Sequence, residues 1–549
     1  VIAGLLITAW LQAAGQVPKP AEPALKEAVL GQARFERGRR QLLPVTGGGG
    51  GRCDARIGRF CYWYDDADTA LPAEPPAVRR ERERLLTTLE RAADSVPASD
   101  WLWGQRVRYL IDHELPDSAW RELAGCGGSP WWCLALSGMS LHAAGRYRAA
   151  DSAFALSLAA MPDTTRCAWN DWEAVVGDRR LRGDDPAGCD RRWALMDTLF
   201  WLGQPLLAID GNDLRTELLS RRVMAAIQAA AVPPHLVSWG NDLEELMLRY
   251  GWSRRWSLTS FPSAAMELPS LVGHDRPPAY WFFPIRGDSA AAWRWAIDAD
   301  RPASRYAPAY LRGLDLSDDA SIALFPRGDS TIVVAGFGAR AWPNRGVTTV
   351  NLALGASSAP SHSPDVSRRT ASALGSTLEL RVAGQPSLVS LEAEDDGHRF
   401  LRHRVYRERR SISPLSLSDL LLFAVDSALP SALDQVLPRA IAGRRIARTR
   451  PIGVYWEWSA SVPDSIAVTI AAVPVRRGLL GRVAQGLALS NRRAPLSLEW
   501  QAGMIPKVPE GRAVELDLSR LAPGRYHIRL TARTPGYQQA TELPIELER

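Results

Sequence analysis

Lysine is almost missing from this chain. Only three of its 66 basic residues are lysine, at positions 19, 26 and 507. A GC-rich genome accounts for so much arginine, whose planar fork suits paired contacts with carboxylates. Cysteine is absent beyond Cys189, and the eight histidines are scattered. No G-x-S-x-G, H-E-x-x-H or strand-to-helix G-x-G-x-x-G occurs. Without C-x-x-C there is no closely spaced ligand pair for structural zinc, and without C-x-x-C-H no haem attachment point. Excess charge is also modest. A net +6 over 549 residues is mild, and the basic runs at 79–84 and 402–410 are short. A nucleic-acid partner would need that charge gathered on one face. No catalytic residue, metal ligand or cofactor is expected from these patterns.

What is present points out of the cytoplasm. Residues 1–17 carry no charge and are mostly apolar, and Pro18, Pro20 and Pro23 stop the segment. One reading is the apolar part of a secretory signal, with Ala13-Ala14-Gly15 as a small-residue cleavage site. The other is a retained anchor; a helix of that length spans roughly 25 Å against a hydrocarbon core of about 30 Å. The anchor is the expectation adopted, with the rest of the chain in the periplasm, tethered to the inner membrane. The six cysteines fall into three sequence-local pairs. Six cysteines allow 15 pairings, and nearest-neighbour closure joins Cys53 to Cys61, Cys126 to Cys133 and Cys167 to Cys189. Disulfides fit an oxidising compartment.

At this length several domains are expected, and the fold class reads as multidomain α + β. The anchor (1–17) is followed by a linker with the Cys53/Cys61 loop (18–76). Five glycines at 47–51 continue into Arg52-Cys53 rather than Lys-Ser, so they are a flexible connection and not a phosphate loop. A helical-repeat domain (77–165) comes next. Its segments 78–96, 99–114 and 117–124 show apolar residues three or four apart, punctuated by Pro97, Pro116 and Gly125. Leu134, Gly138, Leu141, Gly145, Tyr147, Ala150, Phe154 and Pro162 then stand at the spacings of a tetratricopeptide repeat. Small Gly138 and Ala150 would let two helices cross closely, with Phe154 filling the gap between them. Such hairpins need stacked neighbours and mostly bind proteins.

A second helical region (166–276) contains two segments that carry a resemblance. The first is Phe200-Trp201-Leu202 with Pro205, then Gly211-Asn212-Asp213, Glu217 and Arg221. The second is Trp239-Gly240-Asn241-Asp242-Leu243, leading into Leu248-Arg249-Tyr250-Gly251-Trp252. Together with Ser418-Asp419-Leu420 they resemble the GWxTD-domain family of exported bacterial proteins, over about residues 193–425. Here Gly251-Trp252 is followed by Ser-Arg-Arg, so the naming motif is not intact. The resemblance implies export, repeat helices and a β-rich C-terminal part, and it implies no catalytic function.

From about residue 277 the texture is that of β structure. A β-rich domain (277–450) is marked by 321–325 and 331–337 around Pro326-Arg327-Gly328-Asp329, a hairpin signature in which Arg-Gly-Asp is turn chemistry. The stretches 377–382, 387–394 and 399–408 continue it, and the Ser- and Pro-rich 357–372 reads as a loop. Six alternating stretches in 451–549, with turns such as Pro523-Gly524, read as an immunoglobulin-like β-sandwich.

Tryptophan is the informative residue type: 21 are present, many clustered. Aromatic rings are over-used at interface hot spots and membrane boundaries. Tyr62-Trp63-Tyr64 and Trp131-Trp132 each adjoin an expected disulfide, and they are the expected partner-binding residues. The function expected is a non-catalytic, membrane-anchored periplasmic scaffold or accessory subunit that binds other protein subunits of a membrane complex and no nucleic acid. A photosynthetic reaction-centre and light-harvesting complex is the candidate assembly, because large extra periplasmic subunits occur there. The alternative is an envelope enzyme acting on polysaccharide or peptide, with Asp395 or Asp396 in a cleft beside Glu392 and Glu394; the same acidic group could hold a divalent cation, but the reading adopted for it is a hairpin turn with solvated carboxylates.

Overall fold

A computed structural model gives the fold. It describes residues 23–46, 55–62, 72–177, 181–183, 188–259, 271–274, 305, 306, 308, 310, 314–342, 349–358, 363–396, 399–407, 414–426, 428–449, 451–460, 466–475, 496–503 and 508–548. The expected 1–17 anchor, the 47–51 linker, the Cys53–Cys61 pair, Trp63, Tyr64 and the side chain of Tyr62 lie outside the described residues. No described helix is long and apolar enough to cross a membrane. A helical region is followed by a β-rich region, and the chain divides into two compact units. The first comprises 1–205 and 209–310, the second 206–208 and 311–549.

The first unit is built on amphipathic helices whose starts are chemically marked. Helix Pro76–Ser95 opens on a proline, where the missing N–H has no helical partner to lose. Ser99 caps Asp100–Asp112, its hydroxyl accepting from the Leu102 amide at 3.4 Å. Val78, Leu85, Leu89 and Ala92 repeat at helical spacing and pack with Leu25, Ala28 and Phe35 of helix Pro23–Leu42 and with Trp101, Leu102 and Tyr109. Within this core sits a buried charge cluster. The Glu36 carboxylate accepts from the Arg108 guanidinium at 2.5 Å and the Tyr109 hydroxyl at 2.7 Å, and it pairs with Arg39 at 2.7 Å.

The expected hairpin at 134–162 is present as helices Pro130–Ala143 and Tyr147–Ala160. A Cβ at Gly138 would lie 2.8 Å from the Phe154 ring, so glycine is what lets the helices cross there. One element was not foreseen in the 166–276 stretch. Strands Arg255–Thr259 and Leu271–His274 pair antiparallel, and the first also pairs in parallel with Val45–Thr46.

The second unit consists of two β-sandwiches. In the first, a three-stranded sheet (Ala320–Arg327, Ser330–Phe337, Thr377–Ala383) shares a core with a five-stranded sheet. That second sheet contains Leu314–Leu316, Val350–Ser357, Asp365–Ala371, Leu388–Asp395 and Phe400–Tyr406. Asp365–Ala371 corrects the loop expected over 357–372. It is an exposed edge strand beside Val350–Ser357, and its sequence, DVSRRTA, is polar because an edge facing water is protected by charge. In the second sandwich, strands of Ile452–Ala460 and Glu510–Leu516 face a sheet containing Ile466–Pro474, Gly524–Arg533 and Gln538–Glu548. The Tyr526 hydroxyl donates to the Ala522 carbonyl at 2.9 Å and fastens the corner leading into its strand.

The hairpin 320–337 has apolar residues on both faces for a reason. Ile322, Leu324, Val333 and Ala335 enter the first sandwich core. Ala323, Phe325, Ile332 and Val334 pack instead against Leu421, Phe423 and Tyr455 of the second sandwich. A polar seam accompanies that contact. Glu457 pairs with Arg327 and accepts from the Tyr455 hydroxyl at 2.8 Å, while Asp419 accepts from the Leu324 amide at 3.0 Å and pairs with Arg407 at 2.7 Å. Arg327 of the Arg-Gly-Asp turn is therefore engaged within the chain.

Removing one member of a buried ion pair leaves an uncompensated charge, at a cost of about 3–5 kcal/mol. Glu36→Ala should destabilise the protein by that amount in urea unfolding. Glu36→Leu combined with Arg108→Met should recover much of the loss. A double variant no better than the single one would show that Arg108 is not the partner that matters.

Candidate functional site

The motif residues of the second helical region converge on one helix, Asp213–Ala229. Asn212 caps it, accepting from the Arg215 amide at 2.9 Å. Before the cap, Gly211 has φ +87°, and a Cβ there would fall 2.5 Å from the Arg148 backbone nitrogen. Arg221 is 2% exposed and bonds in three directions. Its Nε donates to Glu217 Oε1 at 2.7 Å, Nη1 to the Leu248 and Arg249 carbonyls at 3.0 and 2.8 Å, and Nη2 to the Arg305 carbonyl at 2.6 Å. Gly251, at φ +82°, leaves room beside the guanidinium, since a Cβ would approach Arg221 Nε to 3.3 Å.

His142 joins this network from the neighbouring hairpin. Its ring nitrogens lie 2.8 Å from Thr216 Oγ1 and 2.7 Å from Glu217 Oε2. One turn back, the buried Asp213 carboxylate accepts from the Tyr310 hydroxyl at 2.7 Å. Burial pushes the Asp213 carboxyl up to about 6, although the Tyr310 bond pulls it down. Burial acts on Glu217 in the same sense, but the Arg221 guanidinium and His142 overcome it and hold that carboxyl well below its usual range. Burial and the nearby Asp213 carboxylate also raise the Tyr306 phenol well above its usual value. An outer groove is lined by Gly145–Ala149, Ser152, Ile209, Asp210 and Tyr310; His142, Asp213 and Glu217 do not line it. Such an arrangement holds helices together.

The opposite side of the same helix borders an aromatic-walled cavity of about 110 Å³. Trp101, Trp131, Trp132, Trp169 and Trp239 form walls, and Ala225, Ala226 and Ala229 of the helix form the floor. Two indole N–H groups are satisfied by main chain: Trp101 donates to the Ala230 carbonyl and Trp132 to the Asp100 carbonyl, each at 2.9 Å. The Asp100 side chain caps the entry to Pro130–Ala143, accepting from the Ser129 amide at 2.6 Å and the Ser129 hydroxyl at 2.7 Å. Trp131 meets Trp132 and Trp169 edge to face, with centroids 5.4 and 6.0 Å apart. Disulfides Cys126–Cys133 and Cys167–Cys189 close loops beside these tryptophans. They also indicate an extracytoplasmic protein.

The structure changes the reading of the residues singled out in the sequence. Trp132 is 6% exposed and packed inside the helical unit, so it is not a free surface anchor; Trp131 is half-buried in the same wall. Two adjacent positions at a helix start carry no periodicity that separates core from surface, so the pattern alone could not tell their environments apart. Trp239 belonged to the family resemblance, and Trp169 carried no signal. Two members of the acidic group at 392–396 are spent on structure. Glu392 accepts from the Leu207 and Ala208 amides, both at 2.9 Å, and Asp395 accepts from the Arg399 amide at 2.9 Å and pairs with its guanidinium at 2.6 Å. Among the described residues no cluster of His, Cys, Asp and Glu could hold a metal ion.

No family model matches the chain, and no curated protein matches it. Among solved structures, it is similar to the Escherichia coli alpha-2-macroglobulin fragment from domain MG7 to the C-terminus, at 13% identity and a TM-score of 0.15. That match covers 87% of this chain and 60% of the other. A Corynebacterium diphtheriae protein described as membrane anchored gives 10% identity and a TM-score of 0.14, over 46% of this chain and 63% of the other. The chain thus spans less than two thirds of either. At these scores neither likeness bears on fold or function.

The raised Asp213 carboxyl has a definite sign in stability. The folded state holds this proton more tightly than the unfolded chain, whose carboxyl titrates near 3.9. Its contribution is fully present below about pH 4 and is lost as pH rises through about 6. Glu217 behaves oppositely, stabilising above the ordinary carboxylate range and losing that contribution on acidification. Asp213→Asn should therefore gain on the wild type between pH 4 and 7, by about 2–3 kcal/mol at most. Urea midpoints at four pH values would show it; a pH-independent difference would refute it.

Proposed function

We propose that this chain is a non-catalytic, extracytoplasmic binding and scaffold protein, an accessory subunit that docks on a larger membrane assembly. In this reading the 1–17 segment tethers it to the inner membrane from the periplasmic side. The Pro130–Ala143 and Tyr147–Ala160 hairpin is tetratricopeptide-like, and the last sandwich is immunoglobulin-like. Its GWxTD-like character rests on the residues quoted for it.

One observation carries the reading. His142, Asp213, Glu217, Glu392 and Asp395, the acid–base groups singled out above among the described residues, are committed to bonds within the fold, while two disulfides close loops of the helical unit. An enzyme needs an acid or base that a substrate can reach. A binding protein needs preorganised apolar surface, and loops closed by disulfides lower the ordering cost of presenting it.

The test is solubilisation of native membranes in mild detergent, followed by native electrophoresis and mass spectrometry of the band containing the chain. Co-migration at fixed stoichiometry with integral membrane subunits is expected, and pigment-bearing subunits among them would identify a light-harvesting and reaction-centre assembly. Recovery of the chain alone, with hydrolysis of envelope polysaccharide or peptide that Asp395→Asn abolishes, would replace the scaffold with the enzyme.

A further inference from the structure

We propose that the tryptophan-walled cavity of the helical unit is a ligand site for one free small molecule, a single aromatic ring bearing one hydrogen-bond acceptor. This goes beyond the scaffold reading and stands whether or not the chain docks on a membrane assembly.

Size is the first argument. The cavity holds about 110 Å³, and an engineered cavity of about 150 Å³ in another protein stays dry and takes up benzene. A space of that size accommodates one six-membered ring. The space exists because Ala225, Ala226 and Ala229 follow one another along one side of helix Asp213–Ala229, where a larger side chain would fill it. Wall chemistry is the second argument. Tryptophan faces carry negative charge density and ring edges positive, so a bound aromatic ring gains edge-to-face contacts that an aliphatic group cannot make. The Trp101 and Trp132 N–H groups are already bonded to carbonyls and make no demand on the ligand.

The third argument is polar. Arg222 lines the cavity, three and four residues before Ala225 and Ala226, and is 5% exposed. Its Nη1 donates to Glu244 at 3.0 Å and its Nη2 to the Asp171 carbonyl, while its Nε has no acceptor among the described residues. The guanidinium lies over the Trp172 ring at 4.8 Å, but a buried N–H without an acceptor is still costly, and an acceptor on the ligand would relieve that cost. Glu244 already balances the Arg222 charge, so a neutral carbonyl suits the site better than a second carboxylate. An amide or ketone on a benzene ring combines these features.

Benzamide and toluene are the probes, titrated calorimetrically into the full chain with melting followed in parallel. Saturable one-site binding of benzamide to the wild type is expected, and Ala226→Phe, which fills the floor, should weaken it at least about tenfold while melting at or above the wild type. If circular dichroism shows Ala226→Phe unfolded, Ala229→Leu is read in its place. Arg222→Lys keeps the charge but removes Nε; it should weaken benzamide about tenfold and leave toluene unchanged. Absence of saturable binding to the folded wild type, or equal binding to the filled variant, would overturn the site. An equal effect of Arg222→Lys on both probes would overturn the acceptor. N-acetylphenylalanine methylamide binding tenfold tighter than benzamide would make the occupant a partner's side chain and overturn the free ligand. A failed co-migration experiment would leave every one of these outcomes unaffected.

Discussion

The helical unit depends on one buried cation. Arg221 uses its fork to bind a carboxylate on its own helix and three backbone carbonyls contributed by Leu248, Arg249 and Arg305. Glu217 passes the connection to His142, so helix Asp213–Ala229, helix Pro130–Ala143 and the end of helix Asn241–Tyr250 meet through one side chain. Arginine suits this position because its charge persists when buried and its donors point in fixed directions. Lysine, with a rotatable point charge, could not satisfy the same carbonyls. On the other side of the same helix, Arg222, Ala225, Ala226 and Ala229 border the tryptophan-walled cavity.

The β unit solves a comparable problem with a different device. Its hairpin 320–337 is apolar on both faces, so each face must find a core, and the two sandwiches supply one each. Asp419 and Glu457 then place carboxylates where a strand backbone and an arginine would otherwise lack partners. Buried ion pairs of this kind add modestly to net stability, but losing one member is expensive. They therefore penalise alternative packings more than they strengthen the native one.

Local features were legible in the sequence and distant partnerships were not. Glycine and phenylalanine at helical-hairpin spacing, the turn at Gly328-Asp329 and the Cys126–Cys133 and Cys167–Cys189 neighbours each depend on residues close in the chain. Glu392 looked like part of a solvated acidic group because its partners, the Leu207 and Ala208 amides, lie almost two hundred residues away. Asp365–Ala371 looked like a loop because an exposed edge strand needs no apolar alternation. Trp131-Trp132 announced aromatic surface without showing which way it faced. The residues quoted for the resemblance behaved differently: Gly211-Asn212-Asp213, Glu217, Arg221 and Gly251 were singled out by likeness to a family and not by any physical pattern, and they meet in one network.

The account turns on Arg221 as the common clamp, and amide hydrogen exchange of Arg221→Met against the wild type tests this most directly. The prediction is a joint loss of protection in helices Asp213–Ala229, Pro130–Ala143 and Asn241–Tyr250, with Pro76–Ser95 and the β unit unchanged. Loss confined to Asn241–Tyr250, with the other two helices protected as in the wild type, would contradict it.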